Sequence, residues 1–175
     1  MTKVFAGMAA SLDGYIASAT GDLSWLNDAM AKDEDYGFAE MAERTGAYVM
    51  GANTYREVSG SAGAGAGKTP TWVVTHRDDL MHRGHVHLYS GDLRELVERI
   101  KEETDKDICL FGGADLVTQF IHLDLVDELG IAVVPVLLGD GVRFFGRLDA
   151  WKRLTLVECR RFGSGIVALD YSLES

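Results

Sequence analysis

The sequence predicts an α/β fold with a mostly parallel central sheet and an antiparallel C-terminal edge. Two rhythms carry that expectation. Up to residue 122, short apolar runs rich in β-formers alternate with helical periodicity, the pattern of parallel strands joined by crossover helices. Beyond it, residues 126–134, 153–162 and 166–173 read as strands with no helix between them, which suits strands folding back beside one another. The totals agree: 175 residues, 47% hydrophobic and 25% charged, are enough for one packed core of ordinary composition. No internal repeat or linker breaks the chain, so residues 1–175 are expected to form a single domain.

Residues 3–10 form the first apolar run, and Ser11-Leu12-Asp13-Gly14 turns the chain. Residues 15–32 read as irregular, with Trp25 and Leu26 as buried anchors. A helix is expected at 34–45, with Phe38, Met41 and Ala42 inward, an acidic start at Asp33, Glu34 and Asp35, and Gly46 as its stop. AYVMG at 47–51 is a buried strand, 53–58 one or two helical turns, and TWVVT at 71–75 another strand. HVHLY at 85–89 alternates like a half-buried strand. Asp92 opens a helix in which Leu93, Leu96, Val97 and Ile100 share one face, and Glu95 completes a capping-box pattern. A strand at 108–111 ends at Gly112-Gly113, and a helix at 114–122 turns Leu116, Val117, Phe120 and Ile121 inward.

Several function classes are disfavoured. A net charge of −10 with no basic stripe argues against nucleic acid. No apolar run reaches the length of a membrane span, and the first residues lack a signal-peptide pattern, so a cytoplasmic location is expected. Cys109 and Cys159 read as buried thiols in a reducing compartment. The run 60–67 is low in complexity and reads as a surface loop. With Lys68 and Thr69 it nearly spells a phosphate-binding loop, but Pro70 and a strand follow where that motif needs a helix. His82, His85 and His87 cluster without a carboxylate or thiol at a telling spacing, so no metal site is expected.

The chemistry is expected at three corners on the C-terminal rim of the sheet, where open α/β sheets bind ligands. They are Gly51–Thr54, Thr75–Arg77 and Gly112–Asp115. Glycine ahead of a helix offers free backbone N–H groups to an anion, so the first and third corners could share a diphosphate. Arg77 could meet a further phosphate with both arms of its guanidinium.

SLDGYIA at 11–17, VMGANTY at 49–55, VVT at 73–75, LFGGA at 110–114 and PVLLGDG at 135–141 together resemble the dihydrofolate reductase superfamily. PVLLGDG points within it to proteins similar to the C-terminal reductase domain of the bifunctional riboflavin biosynthesis deaminase/reductase. The resemblance covers nearly the whole chain. It implies a three-layer fold, NADPH as cofactor and a cis peptide between Gly112 and Gly113. Carried over by position, Gly51 and Thr54 hold the diphosphate from one side, and Gly112, Gly113 and Ala114 from the other. Leu116 and Val117 lie close by. Thr75, His76 and Arg77 line the 2′-phosphate pocket, and Ala6, Gly7 and Ile16 face the nicotinamide. Many relatives carry arginine where this chain has Ala52, so preference for NADPH rests on Arg77. Asp35 corresponds to the folate enzymes' catalytic carboxylate, although in the riboflavin-type branch water could deliver the proton. Trp25, Asp35, Tyr36 and Phe38 are candidates for the substrate side.

The implied reaction is hydride transfer from NADPH to a carbonyl or imine carbon of a small polar substrate, heterocycles among them. A true dihydrofolate reductase and a non-catalytic NADPH-binding protein are the alternatives. A homodimer through the apolar C-terminal strands is expected from the same resemblance.

Overall fold

The computed structural model describes residues 1–59, 67–77, 80 and 84–174. His82 and residues 60–66 of the glycine-alanine run lie outside them. In chain order the elements are β1 (Val4–Ser11), β2 (Tyr15–Ala17), α1 (Ser24–Ala29), α2 (Phe38–Arg44), β3 (Thr45–Gly51), α3 (Ala52–Val58), β4 (Thr71–Val74) and β5 (Val86–Tyr89). They continue with α4 (Leu93–Glu103), β6 (Asp107–Gly112), α5 (Ala114–His122), β7 (Glu128–Val134), β8 (Val142–Arg143), β9 (Leu154–Arg161) and β10 (Val167–Leu173).

Eight strands form one sheet in the order β5-β4-β3-β6-β1-β7-β10-β9. The six from β5 to β7 run parallel. β10 and then β9 add antiparallel, as the change of rhythm after residue 122 predicts. β2 and β8 pair separately as a small antiparallel ladder.

Side-chain alternation along the strands builds the layers. On β3, Ala47 and Val49 point to one face and Tyr48 and Met50 to the other. The first face packs against Leu93, Leu96, Val97 and Ile100 of α4 and against Leu116, Val117, Phe120 and Ile121 of α5. The second receives Met41 of α2 and Tyr55 and Val58 of α3. Helices therefore cover both faces, the arrangement that parallel strands require. α4 starts where the sequence indicates: the Asp92 carboxylate accepts from the backbone N–H groups of Arg94 and Glu95.

Five expectations are corrected. α2 begins at Phe38 rather than 34, because the Asp35 side chain bonds the N–H groups of Phe38 and Ala39 and so caps the helix from outside it. Phe38 is 52% exposed and Ala42 is exposed, so the inward face of this short helix is narrower than the spacing suggests. Gly46 lies within β3; the Thr45 hydroxyl donates to the Met41 carbonyl where the helix ends. Cys159 is exposed on β9, the edge strand, whereas Cys109 is buried and its thiol is pushed up to about 12 by that burial. Trp25 and Leu26 are only half-buried and sit on α1, within a stretch that reads as irregular in sequence.

Candidate functional site

β3 and β6 lie side by side, with Met50 opposite Gly112, so the two glycine corners leave the sheet at the same height. A Cβ placed on Gly51 would sit 3.8 Å from the Gly113 nitrogen, and one on Gly113 would sit 3.4 Å from Thr54 Oγ1. Any larger side chain would fill the gap between the corners. Gly112 has φ +104°, a region L residues avoid, and a Cβ there would come 3.0 Å from Met8 Sδ. The Gly112–Gly113 peptide is cis, as the resemblance implies. α3 and α5 start directly after Gly51 and Gly113, and neither start has a side-chain cap. Their first-turn N–H groups are thus open to an outside acceptor at one shared rim.

The other predicted positions extend along this rim. β4 flanks β3, and beyond its end the Thr75 hydroxyl accepts from the Arg77 N–H at 3.0 Å. The exposed Arg77 guanidinium donates to Asn53 Oδ1 at 3.5 Å, which leans it over the start of α3. His76 is exposed beside it. On the far side, the ladder between β1 and β6 ends at Ala6 opposite Leu110, while β1 continues along β7 to Ser11. β1 and β6 part there, beside Gly7 and Met8. From β4 to β1 the rim spans three strand spacings, roughly 14 Å. Ile16 on β2 packs half-buried against the same core. The side chains of Ala6, Leu116 and Val117 point into the core, so any ligand contact from these three runs through backbone or shape.

A family model described as the RibD C-terminal domain matches residues 2–168. The chain belongs to this family. The uncharacterized protein YwjB of Bacillus subtilis (strain 168) is 31% identical over 160 residues, 91% of each chain. A protein of Shewanella sp. PV-4 assigned to riboflavin biosynthesis has a solved structure that superposes with a TM-score of 0.89 at 26% identity, covering 99% of this chain and 100% of that one. Dihydrofolate reductase from Enterococcus faecalis shares the fold, with a TM-score of 0.64 at 17% identity over 99% and 97% of the two chains. Membership of this RibD reductase-like family supports oxidoreductase chemistry.

Among the residues expected on the substrate side, the indole Nε1 of Trp25 is buried with no hydrogen-bond partner among the described residues, leaving a donor without an acceptor. The Tyr36 hydroxyl accepts from the Ala31 N–H at 2.8 Å and lies 3.0 Å from both Glu34 Oε2 and Ser164 Oγ. Glu34 also accepts from the N–H groups of Gly163 and Ser164, and these bonds hold its carboxyl below the usual range. Tyr36 packs against Phe162 with tilted rings, centroids 4.7 Å apart, so this knot ties the segment before α2 to the turn between β9 and β10. Asp35 is exposed, and its two oxygens accept from Phe38 N at 2.9 Å and Ala39 N at 3.4 Å.

Sequence reading missed the role of Asp13. Its carboxylate accepts from the Ser11 hydroxyl at 2.6 Å, Leu138 N at 3.1 Å and Gly139 N at 2.7 Å. These donors, the Ser11 hydroxyl foremost, lower its carboxyl to about 2. Two of the family markers, at 11–17 and 135–141, are therefore one clasp at the end of β1. An acid beside a glycine turn looks like a local turn residue, and only the fold reveals its distant partner.

Another cleft, about 480 Å³, lies at the opposite rim of the sheet, lined by Lys3, Arg44, Asp107 and Glu128 among others. Its charges satisfy each other: Arg44 reaches Asp107 at 2.8 Å and Glu128 at 2.7 Å, and Lys3 meets Glu128 at 2.6 Å. That pairing marks it as a structural network rather than a reaction centre. Among the described residues, no group of three or more His, Cys, Asp or Glu could hold a metal ion, and no helix is long and apolar enough to cross a membrane.

Proposed function

We propose that residues 1–175 act as one NADPH-dependent reductase domain. Its reaction is hydride transfer to a carbonyl or imine carbon of a small polar substrate, heterocycles included. The observation that carries this reading is the juxtaposition of Gly51 and Gly113, 3.8 Å from Cβ position to backbone nitrogen, between two uncapped helix starts. A cradle that a side chain larger than a methyl group would fill suits a diphosphate.

NADPH, when bound, supplies the hydride from its nicotinamide ring. The chain supplies the rest. Gly51 and Thr54 grip the diphosphate from α3, and Gly112, Gly113 and Ala114 grip it from α5, with Leu116 and Val117 shaping the floor. Arg77, with Thr75 and His76, receives the 2′-phosphate; Ala52 adds no charge there, so the choice between NADPH and NADH falls to Arg77. Ala6, Gly7 and Ile16 border the place where β6 and β1 part, and there they face the nicotinamide. Trp25, Tyr36, Phe38 and Asp35 face the substrate, and the unpartnered Trp25 N–H offers it a donor.

Asp35 is the candidate acid in this reading. Its existing hold on the start of α2 favours a second version, in which solvent water delivers the proton and Asp35 orders the helix. Asp35→Asn keeps an acceptor for Phe38 N–H. A drop in kcat of tenfold or more at unchanged melting temperature identifies the acid, by the usual scale of general-acid catalysis; unchanged turnover assigns the step to water.

Two copies are proposed to pair through β9, a strand exposed along its length that carries Leu154, Leu156 and Val157 at the sheet edge. The cytoplasm is the proposed location.

Fluorescence titration with NADPH and NADH tests the central reading. Wild type is expected to bind NADPH at micromolar levels or better. Arg77→Ala is expected to weaken NADPH by about tenfold, one charge-assisted contact, and to leave NADH unchanged. Absence of binding by either cofactor overturns the proposal.

A further inference from the structure

A second cleft, about 430 Å³, lies on the α5 side of the rim. One wall is Ala114 and Asp115, the first turn of α5; the other carries Arg143, Phe145 and Arg147. The arginine-bearing segment is pinned. Phe144 is buried, and its N–H donates to the Gly14 carbonyl at 3.0 Å. Gly146 N–H donates to the buried Thr118 hydroxyl at 2.9 Å, which itself donates to the Ala114 carbonyl at 2.8 Å. The Asp13 clasp holds the preceding turn. Arg143 lies over the Tyr15 ring at 5.2 Å, which fixes the direction of its side chain.

The charges in this cleft are unbalanced. The chain carries 27 acidic and 17 basic side chains, and Arg44, Arg99 and Arg160 each sit against a carboxylate. Arg143 and Arg147 have no carboxylate partner among the described residues, although Asp115 shares their cleft. Two guanidinium groups on one wall repel each other, and a doubly charged anion between them removes that repulsion. Guanidinium also matches phosphate oxygens in shape, donating two parallel N–H bonds.

We propose that Arg143 and Arg147 form an anion subsite that takes a phosphate group. Ala114 belongs both to this cleft and to the diphosphate corner, so the phosphate comes either from the dinucleotide or from a phosphorylated substrate. The subsite rests on the reductase reading only for the choice between those sources.

The test titrates the full chain with inorganic phosphate and follows backbone amides by ¹H–¹⁵N NMR. Saturable shifts are expected at Asp115 and Gly146. Affinity read at those amides is expected to fall by about tenfold or more in Arg143→Gln/Arg147→Gln. It is expected to hold in Arg94→Gln/Lys101→Gln, which removes the same charge from the exposed face of α4. Arg147→Gln alone, whose side chain has no other partner, repeats the test if the double variant folds poorly. Equal losses in both double variants, or no loss in the first, overturn the subsite. NADPH titration of the same variants then names the source. A loss of about fivefold or more confined to the Arg143/Arg147 variant places the dinucleotide there, and an unchanged Kd gives the phosphate to the substrate. Failure of wild type to bind NADPH overturns the reductase reading and leaves the phosphate result standing.

Discussion

Gly113→Val separates the proposed cofactor cradle from the fold that builds it. At φ −72° and ψ −171°, Gly113 occupies extended backbone that valine adopts readily. Its Cβ would lie 3.4 Å from Thr54 Oγ1, at the edge of ordinary contact, and the two γ-methyl groups would then occupy the space between the corners. Stability loses the difference between glycine and an aliphatic residue at a helix N-cap, about 1 kcal/mol. In a chain of this length that is about 2–4 °C in Tm. Binding loses far more. If the methyl groups displace a diphosphate from two backbone N–H groups, each charge-assisted bond is worth about 1.5–3 kcal/mol, so NADPH affinity falls by about 10² to 10⁴. Gly113→Ala, with the Cβ alone, should stay within about tenfold of wild type. Tryptophan fluorescence quenching reads the affinity, and a melting curve on the same sample reads the fold. A Gly113→Val protein that melts near wild type and binds NADPH equally well would falsify the cradle.

Three further outcomes are expected. The Asp13 carboxyl is lowered to about 2 from 3.8, so it stabilises the fold fully above about pH 4, and that contribution disappears as pH falls toward 2. Urea denaturation of Asp13→Asn should therefore show a shallower loss of stability than wild type over that window; identical slopes would remove the clasp from the acid response. Gly112→Ala forces an L residue to φ +104° and brings its Cβ 3.0 Å from Met8 Sδ, so it should cost about 1–3 kcal/mol in thermal unfolding, and a cost below about 0.5 kcal/mol would contradict the observed turn. Leu156→Lys/Val157→Lys on β9 should give a folded monomer by sedimentation where wild type sediments as a dimer; a wild-type monomer refutes pairing through that edge.

The legible parts of this protein are those whose cause is local. Ala47 through Met50 read as a buried strand because all four positions are apolar, and burial on both faces needs no more information than that. Leu93, Leu96, Val97 and Ile100 announce their helix by spacing, and Asp92 announces its start. The glycine corners are visible as glycines before helices. What local pattern cannot carry is which strand lies beside which. β6 inserts between β3 and β1, far from both in sequence, and without that insertion Gly51 and Gly113 would never meet. The resemblance supplied that neighbourhood. The misreadings have the same origin. Cys159 looks like core because it sits in an apolar run, yet β9 is the last strand of the sheet and nearly all of its residues are exposed. Asp35 extends the helical pattern in sequence, but its carboxylate competes for the backbone N–H groups of Phe38 and Ala39 and so sets the start of α2 after itself.

The same distinction explains why the site yields a cofactor class more readily than a substrate. The rim is built from backbone: two helix starts, glycine turns and the end of a β ladder. Such a surface recognises an extended, phosphate-bearing ligand by shape and N–H direction, and it is encoded by the positions of glycines. On the proposed reading, substrate choice depends instead on side chains and segments held by partners remote in sequence. Tyr36 is fixed by Ser164, the 138–139 turn by Asp13, and the Arg143–Arg147 segment by Thr118 and Gly14. The anchors of these parts lie outside the parallel rim, in the β9–β10 turn, at the end of β1 and on the inner face of α5. On the proposed reading, changing one of those anchors is expected to alter substrate selection while leaving the glycine cradle in place. That is the physical route by which one reductase scaffold can keep its dinucleotide and exchange what it reduces.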